Sequence, residues 1–125
     1  MIPWNVTFGD EFDEEFETLA PSVQDELLAS AKLLGEFGPH LGRAHADTLK
    51  DSAFSNMKEL RFEADGGVWR VAFAFDPERK AILLVAGDKS GGGERRFYRV
   101  LIAKADERYG DHLGRLTAAR KKEKK

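Results

Sequence analysis

Apolar and polar positions alternate over residues 2–8, which predicts a β-strand at the start of the chain. Pro3 lacks a ladder donor and so favours a strand start or a sheet edge. From Asp10 the period lengthens. Phe12, Phe16 and Leu19 fall on one helical stripe, with Asp10 as the expected N-cap. Pro21 suits the first turn of a second helix carrying Val23, Leu27, Ala31 and Leu34 inward, and Gly38-Pro39 stops it. Residues 39–56, rich in Gly, His, Asp and Ser, predict a long connection.

Period two returns in the middle. Residues 57–63 alternate, Asp65-Gly66-Gly67 reads as a turn, and 68–75 alternate again. Asp76-Pro77 turns the chain into 81–86, a continuous apolar run expected of a central strand buried on both faces. Three glycines, Gly91 to Gly93, form a joint before a final helix over about 94–117. That helix buries Phe97, Leu101, Ala105, Tyr109 and Leu113 at helical spacing, while Gly110 and Gly114 weaken its second half. The predicted fold class is α+β: a small antiparallel-rich sheet, made of a β-meander plus the N-terminal strand, with two helices before the meander and one after it. A chain of 125 residues suits one domain with one core, here 1–117, followed by a basic tail over 118–125.

The hairpin register follows from its apolar residues. If Leu60, Phe62, Trp69, Val71, Phe73 and Phe75 share the core face, the turn must hold two residues, Asp65-Gly66 or Gly66-Gly67. A one-residue slip would put Phe62 beside Arg70 and split the core. The permitted registers set Arg61 and Arg70 together on the other face, directly or diagonally opposed, with small Ala72 and Ala74 leaving room beside them. Two adjacent guanidinium groups match phosphate oxygens well. The alternative is that Glu59 and Glu63 simply neutralise them as cross-strand pairs.

Charge sharpens this picture. The net charge is -2, yet residues 1–47 balance to -8, 48–88 to -1 and 89–125 to +7. So uneven a chain can offer one face to phosphate and another to a basic partner, although solvated helix faces and a basic tail would leave the same totals. With 42% hydrophobic and 34% charged residues the chain is expected to fold rather than stay disordered. It has no cysteine, which excludes disulfides and thiolate metal sites and suits a reducing cytosol. No apolar run approaches the roughly 20 residues of a membrane-spanning helix, and the first ten residues do not read as a secretion signal. No His/Asp/Glu pattern has metal-ligand spacing.

The succession of elements resembles the RelE/ParE toxin superfamily, and the HigB-like, phage Gp49-like branch more closely. The resemblance is carried by Phe37-Gly38-Pro39, Leu41-Gly42-Arg43, Leu49-Lys50 and Met57-Lys58-Glu59-Leu60-Arg61-Phe62. It continues through Gly67-Val68-Trp69-Arg70-Val71-Ala72-Phe73-Ala74-Phe75-Asp76, Ala81-Ile82-Leu83-Leu84 and Asp88-Lys89 ahead of a basic helix. It implies a RelE-like fold and a toxin that cuts mRNA on the ribosome, held inactive by a helix-turn-helix antitoxin in the cytoplasm. The implied chemistry is attack of a ribose 2′-hydroxyl on the adjacent phosphate, without metal or organic cofactor. That reaction needs in-line positioning, a proton acceptor, stabilisation of the phosphorane and a donor to the leaving oxygen.

Position by position, the resemblance assigns Arg61 to substrate phosphate, Arg70 to the transition state, and Lys89 to phosphate or the leaving group. Lys50 and Lys58, with Arg95 and Arg96 of the basic helix, are implied contacts to RNA backbone. Tyr98 either stacks on a base or belongs to the core. The chain departs from its relatives in having Asp88-Lys89-Ser90 where many carry a double lysine, and Asp51-Ser52 where a glycine often follows the loop lysine. The general base stays open, with His45 the nominated histidine ahead of His40 and His112. A gyrase poison of the ParE type and a non-catalytic module binding nucleic acid or protein are the competing readings.

Overall fold

The computed structural model describes residues 3–123, so Ile2 of the predicted first strand and the last two lysines of the predicted tail lie outside the described residues. Five strands form one mixed sheet: β1 (Asn5–Phe8), β2 (Ala46–Thr48), β3 (Met57–Ala64), β4 (Gly67–Phe75) and β5 (Lys80–Asp88). Their spatial order is β1-β5-β4-β3-β2, with β1 parallel to β5 and the other pairs antiparallel. Three helices, α1 (Asp10–Phe16), α2 (Pro21–Phe37) and α3 (Glu94–Glu123), complete an α+β fold. β1 lies at an edge, as Pro3 implies.

The sheet is covered on both faces. Phe12 and Phe16 of α1 and Leu27 and Leu34 of α2 bury against Leu60, Val71, Phe73, Ala81 and Leu83. On the other face α3 lays Leu101, Ile102, Ala105 and Tyr109 against Met57, Ala72, Ala74, Ile82 and Leu84. Helices on both sides explain why β5 reads as a continuous apolar run rather than an alternation. Between Ala72 and Phe73 the pairing to β5 skips Leu84. This bulge lets Leu84 and Val85, though consecutive, both face α3. The Leu84 carbonyl accepts a hydrogen bond from Arg108 Nη1 at 2.8 Å. The same guanidinium forks onto Glu15 with two contacts of 2.7 Å, tying α3 to α1.

Three details differ from expectation. A short strand, β2, lies inside the stretch predicted as a connection; three residues are too few to show a period. Gly9, not Asp10, caps α1: its carbonyl accepts the Asp13 N–H at 2.9 Å, and a Cβ there would sit 3.1 Å from the Leu83 carbonyl. Asp10 instead adds its charge to the first turn, with Glu11 and Asp13, where the helix dipole favours it. The final helix runs past 117 to Glu123, since nothing after Gly114 breaks it and Arg120, Lys121 and Lys122 suit a C-terminal turn. The room that Ala72 and Ala74 leave on their face is taken by α3, and both alanines are fully buried.

Two outcomes follow for stability. Ala72→Leu overpacks the contact between α3 and the sheet, so urea unfolding is expected to show a loss of about 1–3 kcal/mol; unchanged stability would contradict this packing. The Arg108 hydrogen bond, against the opposing effect of burial, holds the Glu15 carboxyl below its usual pKa. A depressed folded-state pKa gives stability that is present above the ordinary carboxylate range and lost as pH falls through the folded value. The stability gap between the native chain and Glu15→Gln should therefore close on acidification through and below pH 4, in melts at stepped pH.

Candidate functional site

The turn between β3 and β4 holds two residues, Asp65 and Gly66, with φ of 53° and 75°. Both lie in the left-handed region that a tight hairpin turn requires, and Gly66 adopts it without strain. The resulting register pairs Phe62 with Trp69, whose rings stack within 5° of parallel, and Arg61 directly with Arg70. Like charges directly opposed are unfavourable by themselves. Their relief is Glu59, two residues before Arg61 on the same face and 2% exposed. Arg61 Nε donates to Glu59 Oε2 at 2.9 Å, and Arg70 Nε lies 3.8 Å from Glu59 Oε1. Asp47 of β2 adds a longer contact to Arg61, 3.4 Å. Glu63, by contrast, pairs with Val68 in the ladder and is exposed.

α3 closes over this pair. Arg70 Nε donates to Tyr98 Oη at 3.3 Å, and Arg70 Nη1 to the Trp69 carbonyl at 2.9 Å. Tyr98 is half-buried at the margin of the α3 core, so it is both core and site. Burial first, opposed by the Arg70 hydrogen bond and reinforced by the Glu59 carboxylate, raises its phenol above the usual pKa. Lys89, directly after β5, donates from its backbone to Val68 and from Nζ to Glu94 at 2.9 Å, and its ammonium stands 5.7 Å from the Tyr98 ring centre. Asp88 does not compete for that ammonium. Its Oδ1 accepts from Val68 N, Ser90 N and Ser90 Oγ, which pins the turn that aims Lys89. The Ser90 contacts hold the Asp88 carboxyl below its usual pKa.

Between α3 and β2–β3 opens a cleft of about 780 Å³, with Lys50, Arg61, Lys89, Arg95, Tyr98 and Arg99 on its walls and Glu59 in its floor. A second hollow of about 550 Å³ adjoins it at Arg61 and also takes in Arg43, His45 and Arg70. The structure thus gathers Lys50, Arg61, Lys89, Arg95 and Tyr98 in one cleft, with Arg70 beneath Tyr98 and exposed His45 at the next hollow. The His45 carbonyl accepts the Arg61 N–H at 2.8 Å. Two candidates stand elsewhere. Lys58 pairs with Phe73 and so faces the α2 side of the sheet, because consecutive residues of a strand point oppositely. Arg96 lies about 100° round the helix from Arg95, in a groove with Gly87 and Phe97.

Sequence reasoning missed Arg99, although it lies four residues after Arg95 and therefore on the same side of α3. It also left Glu59 as a mere counter-charge and overlooked Glu94. Among the described residues no three His, Asp or Glu side chains gather as a metal site would require, and no helix is long and apolar enough to cross a membrane.

Comparison with known proteins bears on the fold and the family. The solved structure of a free double-arginine mutant of the E. coli toxin RelE superposes with a TM-score of 0.55, covering 82% of this chain and 96% of that one. At 14% identity this likeness concerns the fold, which is RelE-like. A family model described as phage-derived protein Gp49-like matches residues 14–110. Over 100 residues the chain is 40% identical to the candidate toxin HigB2 of Mycobacterium tuberculosis, covering 79% of this chain and 49% of that protein. Over 93 residues it is 51% identical to HigB3 of the same organism, covering 74% and 79%. The chain therefore spans about half the length of HigB2 and most of HigB3. It belongs to the phage-derived Gp49-like family and is HigB-like.

Arg95 and Arg99 form no ion pair among the described residues, so their charge faces the cleft unneutralised. In anisotropy titrations with a short single-stranded RNA at stepped salt, removing both should weaken binding and flatten the slope by roughly 0.7 per lost phosphate contact. Removing Lys58 and Arg96 should change little. Equal effects of the two pairs would contradict the cleft as the binding surface.

Proposed function

We propose that the chain is the toxin of a type II toxin–antitoxin pair and an endoribonuclease that cuts mRNA on the ribosome. The observation that carries this reading is the cross-strand Arg61–Arg70 pair, with Arg61 shared between a cleft walled by Lys50, Lys89, Arg95 and Arg99 and the adjoining hollow that holds Arg70 and His45. Permanently charged, forked donors held in place before substrate arrives are what a phosphorane needs, and their placement costs no reorganisation during reaction. The 2′-hydroxyl attacks the adjacent phosphate in line and expels the 5′-oxygen. Arg61 holds the phosphate, Arg70 takes up the developing charge, and Lys89, released from Glu94, serves the leaving oxygen. Tyr98 stacks on a neighbouring base, and His45, beside Arg61, is assigned the proton transfer. These groups supply the chemistry without a metal or an organic cofactor.

The partners proposed with this function are the ribosome with its mRNA and a small helix-turn-helix antitoxin that covers the cationic cleft, all in the cytoplasm. Family membership and two relatives named as toxins support the pairing. Induced expression of the chain alone is expected to stop growth and create new transcript ends, and co-expression of the adjacent antitoxin gene to restore growth. Growth arrest with intact transcripts and broken DNA would instead point to a gyrase poison.

Arg70→Ala tests the site itself. Losing a donor to the phosphorane should slow cleavage on translating ribosomes by roughly 10² to 10³. Because Arg70 meets a buried carboxylate rather than the exposed Glu63, the melt should also fall, by about 1–3 kcal/mol. A folded variant that cuts at the native rate would remove Arg70 from the mechanism.

A further inference from the structure

We propose that Glu59 is a positioning residue of the cleft, whose buried carboxylate fixes the Arg61 fork through one oxygen and receives the Tyr98 hydroxyl through the other. The proposal rests on the ribonuclease reading for its consequence in catalysis, while its geometry stands on the free protein.

The argument begins with an unfilled acceptor. Glu59 Oε2 is taken by Arg61, but Oε1 is buried and has no hydrogen-bond partner among the described residues. A buried carboxylate oxygen left bare is unfavourable, so a donor at hand should turn to it. Arg70 Nε lies nearest as a cation, at 3.8 Å, yet its N–H is given to Tyr98 Oη. The phenol oxygen therefore already accepts, and its own hydrogen must point away from Arg70. Glu59 Oε1 is the acceptor available to it on this side of α3. Arg70, Tyr98 and Glu59 so close a ring in which each donor has one receiver.

That ring explains an otherwise unfavourable choice of residue. At the Glu59 position, under α3 and opposite Ala72, an apolar side chain would be easier to bury. Without the carboxylate, Arg61 and Arg70 would face each other with only half-exposed Asp47 to relieve Arg61, and both would swing toward water. With it, one negative charge stands against two positive ones, and a net positive charge remains for phosphate. The phenol lines the cleft with its ring under the Lys89 ammonium. Glu59 Oε1 is too buried to touch RNA, so it acts through its neighbours.

The test uses the full chain as Glu59→Gln and Glu59→Asp, with Tyr98→Phe to assign which of the two tyrosines titrates. Ultraviolet difference titration of the free protein reads the network without reference to activity. Removing the carboxylate should lower the Tyr98 midpoint, because the Glu59 charge opposes phenolate formation. Glu59→Asp keeps the charge and should keep the midpoint raised. In single-turnover cleavage on translating ribosomes, Glu59→Gln should lose about 10²-fold in rate. Its RNA affinity should hold or tighten, since a negative charge has left the cleft. Glu59→Asp should recover part of the rate.

A counter-charge alone would give tighter binding with an undiminished rate; that result, or a Tyr98 midpoint unmoved in Glu59→Gln, overturns the proposal. If Glu59→Gln does not fold, an Asp variant that cuts at the native rate, or a Tyr98 midpoint at the ordinary phenol value in the native chain, overturns it equally. A native chain that cuts no RNA would sink the ribonuclease reading, with the titration still deciding the network.

Discussion

Everything at the cleft depends on the two-residue turn at Asp65-Gly66. Both residues must take positive φ, and Gly66 does so without cost. The turn sets Ala64 against Gly67 and, three rungs further on, Arg61 against Arg70. One residue more or less would move every side chain of β4 to the opposite face. Arg70 would then enter the α1–α2 core and Val71 would meet α3. The Arg61–Arg70 juxtaposition is therefore a consequence of backbone register, which the apolar residues enforce from the other face. The stacked Phe62–Trp69 pair lies one rung from the arginines and fixes the same register through packing.

The second constraint is spacing. Ala72 and Ala74 let α3 approach the sheet closely, and that approach brings Tyr98 over Arg70 and Arg99 over the cleft. Small residues here serve the site by admitting a helix, not by leaving a hole for substrate. The cleft opens beside this contact, between α3 and β2–β3, with Thr48 at the end of β2 among its lining residues.

Much of this was legible in the sequence because it rests on period and turn chemistry. The hairpin register, the central character of β5, the edge position of β1 and the Arg61–Arg70 juxtaposition all follow from alternation, Pro3 and the Asp-Gly pair. What was not legible depends on how elements meet. Lys58 and Arg61 both look basic and β-borne, but three residues apart on a strand means opposite faces, so only one reaches the cleft. Arg99, one turn beyond Arg95, shares its side of α3 and lines the cleft, whereas the neighbouring Arg96 points into another groove. Glu59 appeared as a neutralising partner because nothing in one dimension tells that α3 would bury it. The three residues of β2 carry too short a pattern to stand out from a loop.

The charge asymmetry along the chain also takes a different meaning in three dimensions. The acidic first helix was open to two readings, a contact for a basic partner or plain solvation. Much of it is instead spent within the fold: Glu15 forks with Arg108, and Asp10 and Glu11 meet Arg115. The middle of α3 is thereby neutralised against α1, while its first turns, with Arg95 and Arg99, keep their charge toward the cleft. One helix thus divides its cations between holding the fold and facing the cleft. The division follows from where α1 ends, since α1 covers the β5 edge beside Leu84 and does not extend toward β3. A partner that competes for the cationic cleft would meet Arg95 and Arg99 without first having to break the ties that hold α3 to α1.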